Sequence, residues 1–520
     1  MRRSIVPIVI CPFKAIATAR ASGRPFSGAL SLALLTGALA LLTPHAGMTE
    51  ETGNAANLKL PDLSQPDPPA GDGATHKPVL SWDTGAGKSY LIPALEIVGF
   101  QVLLNEYDRH FQADPAYNST WSSTKQNATH KWVVDTDPFS INQFGHPYQG
   151  SMYYGFARSA GLNYWESLGY TFAGSAVWEV AGETTAPSKN DQIATGIGGT
   201  FLGEPLFRMS SLLLESADGT PSVWRELGAA LISPSTGFNR LAFGDRFDTV
   251  FPSRHPAYYS QLQIGGSYAA HMTDQGVSQP VEHGVGNVTF EMAYGLPGKA
   301  DYAYTRPFDY FDFEMTASTA NVFETIFSRG LLVGTDYAMG STYRGVWGLY
   351  GTYDYVSPQI FRVSSTALSL GTTAQWWLSR KVALQGTVLG GVGYGAAGTI
   401  HGQGERDYHY GATPQSLIAL KMIFGERAAL DLVGRDYYVS RVASTESRGS
   451  ENIVRGEAGV TVRIWRRHAL TVKYAVSHRQ ATYPDLGDRS QTLGTVWLFY
   501  TLLGNTRFGA VDWRSEAAAP

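Results

Sequence analysis

The sequence predicts a mainly β protein with an α-helical module: an antiparallel transmembrane β-barrel of about twelve strands preceded by a Gly-rich helical domain. Three observations predict it. Only 16% of the 520 residues are charged, yet mean hydropathy is just −0.14. Gly (57), Tyr (28) and Trp (12) are abundant. From about Tyr258 onward, apolar residues recur with period 2 instead of 3.6. A 43% hydrophobic content excludes a chain disordered throughout. A helical transporter would need several apolar runs of ~20 residues and a higher hydropathy. A barrel's lipid face uses alternate residues only, so hydropathy stays low.

Residues 1–46 contain Arg2, Arg3, Lys14, Arg20 and Arg24 and no acid, with an apolar run from Gly28 to Leu42 and Ala46 at a candidate cleavage point. This reads as a signal peptide for the general secretory route. Its removal takes the formal charge from −4 to about −9, so nucleic acid is not an expected partner. Cys11, the only cysteine, leaves with the leader, which excludes disulfides and Cys-ligated zinc from the mature chain. Residues 47–88 are rich in Pro, Gly and Asp and read as a flexible linker.

Residues 89–247 read as helical. Ile97, Phe100, Leu103 and Leu104 share one face of a helix over Ala94–Arg109. Further helices are expected over Tyr148–Gly161, Tyr164–Gly182, Lys189–Glu215 (with N-cap chemistry at Ser188) and Ser222–Ile232. Gly169, Gly174, Gly182, Gly196, Gly198, Gly199 and Gly203 crowd them. Glycine costs a soluble helix about 1 kcal/mol each, so this density predicts close helix–helix contact or a membrane-like setting.

Residues 250–513 read as the barrel. In Asn452–Trp465, Val454, Ala458, Val460, Val462 and Ile464 alternate with Arg455, Glu457, Thr461 and Arg463. Leu470–Arg479, Gln261–Tyr268 and Phe311–Ala317 repeat the alternation, at roughly 21 residues per strand and loop. A soluble sandwich also alternates, but here one face is regularly charged. Aromatics also cluster at segment ends (Tyr258 and Tyr259, Trp376 and Trp377, Tyr437 and Tyr438, Trp497 and Tyr500), as in interfacial girdles. Asp312, Glu314, Arg455, Glu457, Arg463, Lys473 and Arg479 are expected to face the lumen.

The helical part holds the most unusual polar set: Asp137, Asn142, His146, Arg158, Glu179, Glu183, Asp191, Glu204, Arg208, Asn239 and Arg240. Three readings compete. One is a buried network in which Arg158, Arg208 and Arg240 satisfy the four carboxylates Glu179, Glu183, Asp191 and Glu204. A second is a metal site of His146 with Glu179, Glu183, Asp191 or Glu204, the i,i+4 carboxylates resembling ligand pairs in bundles. The spacing matches no standard zinc motif and the set holds a single His, so no metal or cofactor is assigned. The third is a hydrolase with His146 as base, Ser151 or Ser188 as nucleophile, and Asp135 or Asp137 as orienter. Neither serine sits in a Gly-x-Ser-x-Gly elbow.

Within this stretch Asp137-Pro138, Asn142, His146 to Gly150, Ala157-Arg158, Trp178-Glu179, Glu183, Pro187-Ser188, Asp191 and Gly203-Glu204 resemble the bacterial family called domain of unknown function 3943. The resemblance covers about a fifth of the chain and implies a bacterial envelope protein without implying a reaction. The expected protein is thus an outer-membrane barrel of a Gram-negative bacterium, with the helices as a plug or periplasmic module. It would bind or pass a small amphipathic or lipidic ligand, with outer-membrane lipid and the barrel-assembly machinery as partners. The alternative is an envelope-lipid-modifying hydrolase centred on His146.

Overall fold

The structure, a computed structural model, describes residues 79–112, 114–215, 220–278, 284–357, 361–401, 404–442 and 449–514. The expected leader with Cys11, and the linker up to residue 78, lie outside the described residues. The period-2 segments form twelve barrel strands: β1 Tyr258–Asp274, β2 Val285–Tyr294, β3 Phe311–Ser318, β4 Thr325–Met339, β5 Tyr343–Val356 and β6 Arg362–Trp377. They continue as β7 Val382–Gly398, β8 Tyr408–Phe424, β9 Ala428–Val439, β10 Ser450–Trp465, β11 His468–Tyr483 and β12 Gly487–Leu503. A two-residue strand, Val277–Ser278, folds back on the end of β1. Each strand pairs antiparallel with the next, and β12 pairs with β1, so the sheet closes without a free edge.

Bonds between strands that are not neighbours identify the lumenal face. Tyr437 (β9) donates to Asp354 (β5) at 2.8 Å, and Gln415 (β8) to Thr352 (β5) at 3.0 Å. The Arg435 guanidinium (β9) lies 3.7 Å from the Phe327 ring centre (β4), and Lys473 (β11) lies 3.5 Å from Glu314 (β3). Side chains two residues along share that face; the intervening ones point outward. The expected girdle pairs therefore divide. Trp376, Tyr438 and Tyr500 are exposed, whereas Trp377, Tyr437, Tyr259 and Trp497 are buried on the inward side. Outward Leu370, Val392, Ile418, Val462, Val472 and Leu498 form an exposed apolar belt over β6–β12.

Among the described residues the α-helices are α1 Leu91–Tyr107, α2 Trp121–Thr129, α3 His146–Ser159, α4 Tyr164–Val177, α5 Lys189–Ile193, α6 Gly199–Leu214, α7 Val223–Ile232 and α8 Pro234–Phe247. Asn163 and Glu166 close a capping box on α4, and Ser188 caps α5. α3 crosses α6 and the turn before it at glycine: a Cβ on Gly150 would lie 2.0 Å from the Thr195 carbonyl oxygen, and one on Gly199 would lie 2.6 Å from Gly150 Cα. The expected close helix contact is found there.

These helices do not plug the barrel; they pack on its outer wall. Outward-facing Leu262, Phe290, Met292, Phe311, Phe313 and Ile326 are buried in one cluster with Phe144, Tyr154, Phe201, Leu202 and Met209 of the module. Ser328, on the opposite face of β4 from Phe327, donates to the Phe201 carbonyl at 2.6 Å, and outward Tyr353 donates to the Gln143 carbonyl at 2.6 Å. The physical reason is the size and apolarity of outward residues on β2–β4, which need a partner that the lumen cannot provide. The mouth at the start of β1 and the end of β12 is instead crossed by the C-terminal segment. Val511 exchanges bonds with inward Gln375 (3.0 and 2.6 Å), and Gln385 donates to the Gly509 carbonyl at 2.9 Å. β6 and β12 stand on opposite sides of the twelve-strand ring, so this segment is a strap across the mouth.

Gly150→Ala should destabilise the module by about 1–3 kcal/mol, because backbone meets backbone there. Gly169→Ala, with open space at its Cβ, should be neutral or stabilise by up to about 1 kcal/mol. Thermal melts of the two variants in the same detergent check the contrast.

Candidate functional site

The polar set divides into separate clusters. In the first, Arg158 on α3 and Arg208 on α6 hold Glu204 between them (Nε to carboxylate 2.9 and 2.7 Å), and Tyr154 donates to the same carboxylate at 2.6 Å. Arg208 reaches on to Asp309 at 2.9 Å, in the segment leading into β3, where Arg254 and Arg306 also bind. All four central side chains are buried. Burial by itself would raise the Glu204 pKa, but Arg158 and Arg208 outweigh it and hold the carboxyl below its usual range. With every charge paired, this cluster joins module to barrel and has no spare group for chemistry.

The second cluster has the opposite balance. His146 opens α3, Glu179 lies in the turn after α4, and Asp191 lies in α5; all three are buried. Their ligand atoms fall within 4.8 Å of one another, with His146 Nε2 3.5 Å from Asp191 Oδ2. His146 Nδ1 faces Thr195 Oγ1 at 3.3 Å. Glu179 accepts the Ser188 N–H at 2.8 Å, and Asp191 accepts from Asn190 at 2.9 Å. Asn190 also donates to Asp135 and to the barrel's Tyr410, each at 2.9 Å. Asn142 donates to Asp135 at 2.5 Å and Tyr408 at 3.0 Å. Three π-helical turns surround the cluster: Ile141–Gly145 carries Asn142, Trp178–Gly182 carries Glu179, and Ala194–Gly198 carries Thr195. Such turns recur at functional sites.

Among the described residues, no Lys or Arg ion pair reaches Glu179, Glu183 or Asp191. Burial, then the neighbouring Glu183, pushes Glu179 well above the usual carboxylate range; burial, then Asp135 and Glu179, does so for Asp191. Glu183 is pushed up to about 7 by burial and by Asp137. Its carboxylate accepts from Trp178 (3.0 Å) and Thr185 (2.9 Å).

The remaining members lie apart. Asp137 pairs with Arg406 of the barrel loop at 2.8 Å. Asn239 donates to Ser159 and the Phe156 carbonyl, tying α8 to α3. Arg240 pairs with Glu226 at 2.6 Å, so it satisfies none of the four carboxylates expected of it. The hydrolase arrangement is not formed either. Ser151 donates to the Tyr148 carbonyl and Ser188 to Asn190, while the hydroxyl beside His146 is that of Thr195. Thr195, Asn190, Tyr408, Tyr410 and Asp309 escaped the sequence reading. Asn190 stands beside Asp191 in the first turn of α5 and was the one accessible signal. The two tyrosines are indistinguishable from other strand aromatics.

Glu204→Gln should destabilise the fold by about 3–5 kcal/mol by leaving buried arginines underpaired. Because the Glu204 pKa is lowered on folding, its stabilisation is complete at neutral pH and is lost as pH falls through that lowered value. The variant's melting temperature should accordingly depend less on pH below about 4.5 than that of the wild type.

No curated protein matches the chain. Three solved structures resemble it over about half of its length. The outer membrane channel DcaP of Acinetobacter baumannii is 5% identical, with a TM-score of 0.22 over 47% of this chain and 96% of that one. The Pseudomonas putida toluene transporter TodX is 9% identical, with a TM-score of 0.21 over 49% and 91%. The NanC porin is 7% identical, with a TM-score of 0.23 over 45% and 98%. Residues 131–235, which hold His146, Glu179, Asp191, Glu204 and Arg208, match the family described as domain of unknown function (DUF3943).

Proposed function

We propose that this protein is a Gram-negative outer-membrane barrel that binds, rather than freely passes, a small ligand carrying charge. The observation that carries this reading is the lumen. A cavity of about 160 Å³ there is lined by Glu291, Glu314, Lys421, Lys473, Gln385 and Tyr259. Side chains cross the barrel around it, and the strap through Gly509 and Val511 spans the mouth. Acids and bases facing one another suit an amphipathic molecule with a polar or zwitterionic head better than a wholly lipidic one. The closed sheet and the exposed apolar belt support bilayer lipid as the surrounding medium. That apolar surface continues onto exposed Leu95, Val102, Trp224 and Leu241 of the module.

Planar-bilayer recording tests the reading. The wild type should give no steady conductance, and a chain ending at Leu503 should conduct because the strap is gone. A steadily open wild-type pore, or a truncated chain as silent as the wild type, would contradict it.

A further inference from the structure

Buried carboxylates need cations. Glu204 has two arginines, whereas the cluster of Glu179, Asp191, Glu183 and Asp135 has no Lys or Arg ion pair among the described residues. What it has is an imidazole. His146, Glu179 and Asp191 come from three different helical elements and bring one nitrogen and two carboxylate oxygens within 4.8 Å of each other. We propose that these three side chains bind one divalent first-row metal ion of the Mn²⁺ or Zn²⁺ type, for which imidazole and carboxylate are suitable ligands.

Three further observations support the assignment. Each ligand is oriented through an atom that the metal does not need. The Glu179 carboxylate is held by the Ser188 N–H, Asp191 Oδ1 by Asn190, and the His146 ring through Nδ1 by Thr195. The tautomer in which Nδ1–H donates to Thr195 Oγ1 is the one that leaves the Nε2 lone pair facing Asp191, as metal-ligating histidines require. Independently, Asn142 is fully buried one turn before His146. Its amide nitrogen is fixed by Asp135 and Tyr408, while its carbonyl oxygen has no hydrogen-bond partner. An orphaned buried amide oxygen one helical turn from His146 is a natural fourth donor. A cavity of about 30 Å³ lined by Asp108, Gln149, His146 and Glu183 borders the site.

The ion would also link module to barrel, because Asn142 and Asn190 bind Tyr408 and Tyr410 of β8. The site is independent of the lumenal ligand, so one proposal can fail without the other.

The test is direct metal titration of the full-length purified protein, stripped with chelator and checked for native circular dichroism. Mn²⁺ or Zn²⁺ alone should bind at about one equivalent and raise the melting temperature. His146→Gln and Glu179→Gln should each weaken binding at least about tenfold, and His401→Ala, at an exposed loop, should leave it unchanged. Co²⁺ loading of the wild type should give weak d–d bands of nitrogen and oxygen coordination, a readout that does not depend on the variants folding. Failure of the stripped, folded wild type to take up metal would overturn the proposal. So would stoichiometric binding unaffected by both glutamine substitutions.

Discussion

The fold turns on one buried ion-pair chain. Arg158 and Arg208 clasp Glu204, and Arg208 continues to Asp309. Burying ions is tolerable only when every partner is in place, so this chain permits a single arrangement of α3, α6 and the segment entering β3. Once those are fixed, Phe201 lies against Gly351 and Ser328, and Phe144 and Tyr154 join the aromatic cluster on the barrel's outside. The helices become part of the wall.

That placement divides the molecule's charge into compartments. Many outward residues over β6–β12 form an exposed apolar belt, whereas Leu262, Phe290, Phe311, Phe313 and Ile326 of β1–β4 and Tyr408 and Tyr410 of β8 are buried against the helices. Inward residues carry paired acids and bases that bond across the lumen, with the strap at one mouth. The module has a balanced cluster at Glu204 and an unbalanced one at Glu179 and Asp191. The balanced cluster is mechanical. The unbalanced one, ringed by three π turns and an orphaned amide oxygen, is where binding is expected.

Much of this was legible in the sequence, and for identifiable reasons. Strand alternation such as Val460/Thr461/Val462 is a local property, so the barrel and its inward charges could be read directly. The start of α5 followed from Ser188, whose capping role is also local. What escaped was relative placement. Nothing in the linear order says that Phe201 meets the outside of Gly351 instead of entering the lumen. The polar residues appeared as one set because they are neighbours in the chain. The structure separates Arg240 from the carboxylates and brings in Asp309, which is 101 residues from Arg208. Adjacent aromatics misled for a simpler reason: period 2 sends Trp376 out and Trp377 in.

The central claim, that the module stands outside the barrel, is most directly tested by disulfide trapping in membranes, where the described residues supply no competing cysteine. A Cβ on Gly198 lies 3.0 Å from Thr366 Oγ1 on the outer face of β6. Gly198→Cys paired with Thr366→Cys should cross-link on mild oxidation, and Gly198→Cys paired with Ser365→Cys, whose side chain faces the lumen, should not. Efficient cross-linking through Ser365→Cys with none through Thr366→Cys would place the helices inside and contradict the account.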